Sequence, residues 1–383
     1  MKIDRFQMER TQCLYENEVE FNLSESGVLP LSLGELLPDP GHRAALDAER
    51  LRYPHSTGRA RLRSNIAKFH GLSGSDAVAE GVMVTNGGSE ANYTTLWGLV
   101  GKKDRVAFMI PNYLQGMGLG NAYGSHVDTY RLAMRRGDDG TPQWQLDVDS
   151  LSKAVKRNTK VIVVTNPNNP TGSVLTETEM DAIVAAADRV GAWIMADEIY
   201  RGAEVDGPLS PTFAGRYDRV IVTGGLSKAF ALPGLRTGWI VAPPKLIRHL
   251  CQYHDYLTLT PSFLSDYLAD VVMQPDRRDR ILERTGRIIR TNLPPVEKWI
   301  ASHRDIFDYA RPQAGAICTV RYRLPIASET LFNRFRRQHS VLITPGAHFG
   351  IGKYIRIGFG YEIKHTLRGL QKLDAPLRSL HKR

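Results

Sequence analysis

Cysteine is scarce in this chain of 383 residues, which holds only Cys13, Cys251 and Cys318. Three scattered thiols exclude a disulfide framework and a cysteine zinc site, so no metal is expected, and a reducing, cytoplasmic setting fits them. Long apolar runs are also missing. No stretch approaches the ~20 apolar residues that cross a bilayer, so no membrane association is expected. The opening segment MKIDRFQMERTQCLYENEVEF is charged and has no apolar centre of the kind a secretory signal needs. Internal repeats and low-complexity tracts are absent. Acidic residues are outnumbered by basic ones, 40 to 50, for a formal net charge of +10. The basic residues are spread out, with small clusters at 277–280, 334–337 and 381–383, and none joins a nucleic-acid-binding motif. The excess reads as solvated surface, with a preference for small anions as the second reading.

The apolar content, 42%, is that of an ordinary globular protein. The length favours one large domain with a smaller companion. Through the middle of the chain, short β-branched runs alternate with helix-like segments: VMVTN, RVAFMI, VIVVTN, WIMAD and VIVTGG. Continuous runs of this kind suit strands of a parallel sheet buried on both faces. Between two of them, TETEMDAIVAAADRV opens on a capping box, Thr176 with Glu179 three residues on. Met180, Ile183, Val184 and Ala187 then make one apolar stripe, and Gly191 supplies the stop. Strand, helix and strand in this order make a βαβ unit of an α/β fold. Past Pro275 the pattern changes to Arg-rich helix (RRDRILERTGRIIRTNL) and shorter strands (ICTVRY, YIRIGFG). The division expected is a large domain over 40–275 and a smaller α+β domain made of 276–383 together with 1–39.

Four stretches carry chemistry. NGGSEAN, Asn86–Asn92, lies between a strand and a helix. Gly87 and Gly88 let a ligand approach the backbone, and the free N–H groups of a helix start, with the Ser89 hydroxyl, suit a phosphate. By itself a Gly-Gly turn is usually only a turn. NPNNPTG, Asn166–Gly172, falls at the carboxyl end of a strand, where binding loops are expected in α/β sheets. In DEIY, Asp197 closes the apolar run WIMAD. A partly desolvated carboxylate there needs a cation or hydrogen-bond donors, and it serves either as a helix cap or as counter-charge to a protonated ring nitrogen. In GGLSKAFALPGLRTGW, Lys228 sits among Gly, Ser and Ala without an acidic neighbour. A desolvated lysine has a lowered pKa and acts as an amine nucleophile toward aldehydes. Gly224, Gly225 and Ala229 leave room for a bulky cofactor above it, and Arg236 would neutralise a phosphate on that cofactor. Phosphate cradle, ring counter-charge, Schiff-base lysine and phosphate arginine together describe a pyridoxal 5′-phosphate (PLP) site.

With these motifs in this order, nearly the whole chain resembles the fold-type I PLP-dependent enzymes, and in particular the class I/II aminotransferases. The resemblance implies a large domain with a mostly parallel sheet of the seven-stranded type, flanked by helices, and a smaller α+β domain. It implies that Lys228 forms the Schiff base and later moves the substrate proton. Asp197 would pair with the ring nitrogen, and Tyr200 and Asn169 with the phenolic oxygen. Tyr113 would stack on the ring. Gly88, Ser89, Glu90, Ser227 and Arg236 would line the phosphate end, and Tyr53 would reach the phosphate of a partner subunit in a homodimer. Arg356, in YIRIGFG, would grip the substrate α-carboxylate, with Asn169 and Gly27 beside it. Position 225 departs from the pattern, because many relatives carry Ser or Thr there; Thr223 or a water is the expected substitute. The implied reaction moves an amino group from an L-amino acid to a 2-oxo acid. NLSESGVLPLSLGELL, GLSKAFALPGLRTGW and DYLTLTPS are also similar to segments of capreomycidine synthases, which implies an alternative: cyclisation or elimination on an arginine-like amino acid. Nucleic-acid binding of the kind seen in regulators with an aminotransferase-like domain is not expected, since the pattern starts within the first few dozen residues.

Overall fold

The computed structural model describes residues 3–73 and 76–382. Its centre is a sheet of eight strands. In spatial order they are Val82–Thr85, Gly238–Val241, Val220–Gly225, Trp193–Asp197, Thr159–Thr165, Arg105–Ile110, His126–Arg136 and Pro142–Leu146. The five strands from Val220–Gly225 to His126–Arg136 pair in parallel, and each of these except the last is an apolar run legible in the sequence. Gly238–Val241 is antiparallel to both of its neighbours. Pro142–Leu146 is a hairpin strand that brings the expected seven to eight. The antiparallel strand GWIV is hidden in the sequence because it is only four residues long and its first residues merge with the lysine motif. His126–Arg136 is hidden because its residues are mostly half-exposed and polar.

Helices cover both faces. Glu177–Asp188 has the capping box in place: the Thr176 hydroxyl accepts from the Glu179 N–H, and the Glu179 carboxylate accepts from the Thr176 N–H. Met180, Ile183 and Ala187 are buried, while Val184 at the edge of the stripe is half-buried. The parallel strands end level with one another. Thr165 pairs with Asp197, and Asp197 with Thr223, so residues distant in sequence meet along one edge of the sheet.

The helix Pro275–Ala301 begins at the composition change and runs 27 residues into the smaller unit. That unit has an antiparallel sheet ordered Phe307–Tyr309, Ile317–Tyr322, Tyr354–Gly358 and Thr344–Pro345. The N-terminal segment is divided between the two units. Phe21–Asn22 pairs in parallel with Val341–Leu342 of the smaller unit. The preceding helix, Gln7–Tyr15, instead lies across the mouth of the strand-end crevice, where Phe6 meets the Tyr113 ring edge-on at 4.8 Å.

Candidate active site

A cavity of about 500 Å³ opens at the carboxyl edge of the parallel strands. Its walls include Gly88, Ser89, Tyr113, Asn169, Asp197, Tyr200, Ser227, Lys228 and Arg236, with members from each of the four stretches that carry chemistry. A larger cavity, about 870 Å³, lies between the hairpin Pro142–Leu146 and residues 309–313 and contains none of these side chains. Among the described residues no helix is long and apolar enough to cross a membrane, and no group of three or more His, Cys, Asp or Glu could hold a metal ion.

Backbone contact shapes the phosphate end. Gly87 has φ +100 and caps the helix Gly88–Leu99, whose first residues, Gly88 and Ser89, line the cavity. A Cβ on Gly87 would fall 2.4 Å from the Arg236 guanidinium, so its absence is what lets the arginine lie against the turn. A Cβ on Gly238 would fall 2.4 Å from both Gly87 C and Gly88 N, which explains why the TGW stretch carries glycine there. Ser89, Ser227 and Arg236 add hydroxyls and a guanidinium to the same end. Helix N–H groups, hydroxyls and a guanidinium are the donors a phosphate takes. Gly225 is required by packing: a Cβ there would approach Thr237 O at 2.8 Å and Ile199 Cδ1 at 3.0 Å. Thr223 does not replace the missing hydroxyl. It is buried and donates to Asn92 Oδ1 at 2.7 Å.

That bond leads to the ring end. Asn92 Nδ2 donates to Asp197 Oδ2 at 3.0 Å, and the Ile199 N–H donates to Asp197 Oδ1 at 3.1 Å. Burial raises the Asp197 pKa, the two donors oppose this, and the neighbouring Glu198 adds to it. No cationic side chain pairs with Asp197 among the described residues, so a protonated ring nitrogen suits it. Asn92 escaped the sequence reading although it closes NGGSEAN. It stands four residues after Gly88, on the same helix face, and that spacing was the available signal.

Tyr200 is 2% exposed and its hydroxyl has no hydrogen-bond partner. An orphaned buried phenol on a cavity wall fits an acceptor oxygen brought by a ligand. Of the asparagines in NPNNPTG only Asn169 reaches the cavity. Asn166 accepts from the Leu175 N–H, and Asn168 accepts from Thr171 and donates to Pro111 O, so both hold the turn itself. Lys228 lines the cavity half-buried, with no carboxylate partner among the described residues. Tyr113 also lines it, but its hydroxyl donates to Glu9 Oε1 at 2.8 Å, and burial, with Glu9 second, drives its pKa well above the usual phenol range.

Arg356 is 1% exposed and sits behind Asn169, not on the cavity wall. Its guanidinium donates to Asn169 Oδ1 at 2.9 Å, to Thr344 Oγ1 at 3.2 Å and to Ser24 O, while Nε has no partner. Gly27 lies against Lys228; a Cβ there would meet Ser227 O at 3.4 Å and Lys228 Cδ at 3.9 Å. Two further assignments turn away from the cavity altogether. The Glu90 carboxylate turns away and binds His254 Nδ1 at 2.8 Å and Thr258 Oγ1 at 3.0 Å. Tyr53 is 82% exposed and lies beside Pro261–Leu264, away from this chain's own cavity. Conversely, Phe6, Met8, Glu9 and Gln12 of the N-terminal helix region form one wall, which sequence reasoning missed because nothing local ties residue 9 to residue 113.

The sequence matches the family model for aminotransferase class I and II over residues 22–373. Capreomycidine synthase of Streptomyces vinaceus is 31% identical over 366 residues, covering 94% of this chain and 90% of that protein. The arginine–pyruvate transaminase of Pseudomonas aeruginosa is 26% identical, covering 86% and 85%. Among solved structures, a PLP-dependent aminotransferase of Streptococcus suis superposes with a TM-score of 0.89 at 28% identity, covering 99% of each chain. The PLP-dependent cyclase OrfR does so with a TM-score of 0.86 at 27% identity, covering 99% of this chain and 98% of its own. Family match, fold and a cavity fitted to PLP agree, and the chain belongs to the class I and II aminotransferases, as a PLP-dependent enzyme of fold type I.

Proposed function

We propose that this aminotransferase takes an L-amino acid with a cationic side chain as amino donor and passes the amino group to a 2-oxo acid. The observation that carries the transfer is the convergence of Lys228, Asp197 and Tyr200 on one cavity. When bound, PLP supplies an aldehyde for the amino group and an electron-withdrawing ring. Lys228 is the amine placed to hold the cofactor and to carry the Cα proton. Asp197, braced by Asn92, keeps a proton on the ring nitrogen. Tyr200 and Asn169 donate to the phenolic oxygen. Arg356, with its unpartnered Nε, would take the α-carboxylate beside Asn169. Gly88, Ser89, Ser227 and Arg236 hold the phosphate.

The donor class rests on the N-terminal wall. Glu9 lines the cavity, and Gln12 beside it donates to Glu25 Oε1 at 2.6 Å. One carboxylate on the wall, with Glu25 held behind Gln12, favours a cation and disfavours an acidic side chain. The same wall supports the second reading, cyclisation of an arginine-like amino acid, in line with what the Streptomyces relative's name states of that protein. We assign the larger unit to residues 40–275 and the smaller to 1–39 with 276–383, with the N-terminal helix as an exception that serves the cavity. A homodimer is part of the proposal: Leu51, Tyr53 and Leu264 are exposed apolar groups around one surface groove, Tyr256 and Leu259 are exposed in the adjoining segment 255–262, and Tyr53 would then serve the partner's phosphate. Free thiols at Cys13, Cys251 and Cys318 support a cytoplasmic setting.

Holoenzyme mixed with arginine and no oxo acid should release one equivalent of 2-oxo acid per site, and Lys228→Ala should release none. A cyclic product without oxo acid would replace transfer by the second reading. Glutamate or phenylalanine outcompeting arginine would refute the donor class.

A further inference from the structure

The surplus carboxylate of Glu90 raises a question that catalysis does not answer. A negative charge in the first turn of the helix that faces the phosphate should weaken phosphate binding. Glu90 is instead fully engaged. Its Oε2 accepts from the Asn86 N–H at 3.2 Å, and its Oε1 accepts from His254 Nδ1 at 2.8 Å and Thr258 Oγ1 at 3.0 Å. His254 is 0% exposed, and its Nε2 has no partner, so the ring is held only through Nδ1. Its carbonyl accepts the N–H groups of Leu257, Thr258 and Leu259 at 2.9, 3.1 and 3.2 Å. Asn86 closes the ring of contacts. Its Nδ2 donates to Thr260 O at 3.3 Å, and its Oδ1 accepts from the Ser262 N–H at 3.2 Å.

The loop Asp255–Ser262 and the phosphate turn Asn86–Ser89 are thus one hydrogen-bonded unit, with Glu90 at its centre. We infer that Glu90, clamped by His254 and Thr258, is a positioning residue that fixes the Asn86–Ser89 turn in its phosphate-binding shape. The clamp works through the backbone. The Asn86 N–H is tied to the helix, next to Gly87 at φ +100, and the two residues that follow, Gly88 and Ser89, line the cavity. Glu90 touches neither the ring nor the substrate, so its loss should be felt at the phosphate and not at the aldehyde. This inference rests on the assignment of Gly88 and Ser89 to the phosphate.

Pyridoxal, which lacks the phosphate, separates the two effects. The affinities of apoenzyme for PLP and for pyridoxal are measured by quenching of tryptophan fluorescence. Wild type should prefer PLP strongly. Glu90→Ala should lose ~10-fold or more of that preference, in the range expected when a supporting residue around a binding group is removed, with pyridoxal affinity nearly unchanged. His254→Asn, which keeps a donor near the Nδ1 position, should retain most of it. An unchanged preference in Glu90→Ala, or equal weakening toward both compounds, overturns the clamp. Should Glu90→Ala not fold, Thr258→Val at the exposed side carries the test: a fall of ~2–5-fold in the preference supports the clamp, and none overturns it. A wild type with no preference for PLP would instead remove the phosphate assignment itself.

Discussion

The two ends of the cavity are built by different means. The cofactor end is a backbone construction: strand ends in register, a helix start, and glycines whose missing Cβ atoms let segments touch, as where Gly238 meets Gly87 and Gly88. The substrate end is a side-chain construction, assembled from Glu9, Gln12, Tyr113, Asn169 and Arg356, residues up to hundreds of positions apart. Backbone sites tolerate little change and look alike across a family. Side-chain sites can be rewritten one residue at a time, and on the proposed reading that is where the donor would be chosen.

Perturbing each end tests the contrast. The largest effect should come from Arg356→Lys. An ammonium cannot reproduce a planar fork held by Asn169, Thr344 and Ser24, so KM for the amino acid should rise ~100-fold while PLP affinity stays near wild type. If PLP affinity fell equally, the two ends would not be independent. Next is Gly238→Ala. Its Cβ would have to displace backbone at 2.4 Å, so PLP affinity should drop by ~10–100-fold with little change in the KM of whatever enzyme remains loaded.

The third test uses pH. His348 is buried in the smaller unit and held down to about 4 by that burial, with the Arg356 charge second. Its folded pKa lies below the ordinary histidine value of 6.5, so the stability it contributes is complete above that pH. That stability is lost as pH falls toward 4, when the unfolded chain takes up the proton first, by about 3 kcal/mol at the lower end. Denaturant midpoints measured between pH 7 and pH 4 should therefore fall, and His348→Gln should flatten the fall. An equal decline in the variant would place the acid-sensitive group elsewhere. The smallest effect is expected from Thr176→Ala, which removes a helix cap remote from the cavity: about 1 kcal/mol of stability by urea unfolding, with kcat and KM unchanged.

Legibility followed the same division. The helix Glu177–Asp188, the five apolar strand runs and the change of pattern at Pro275 could be read because local period, caps and composition mark them. Lys228, Asp197, Tyr200, Asn169 and Arg236 could be read because each sits in a motif whose spacing encodes a strand end or a tight turn. Asn92 and Glu90 stood in a quoted motif, but which one faced inward depended on helix phase and on partners more than 100 residues away. The role of Gly225 depended on where the side chain of Ile199 and the backbone at Thr237 would lie.

The sequence alone determined the α/β framework, the order of the cofactor-binding turns and the cofactor they suit, since short-range spacing controls strand ends, caps and the position of a lysine among small residues. Only the tertiary structure decided that an N-terminal helix walls the substrate side, that Asn92 braces Asp197 and that Glu90 faces His254. Those pairings join segments with no fixed separation along the chain, and packing of the whole molecule sets them.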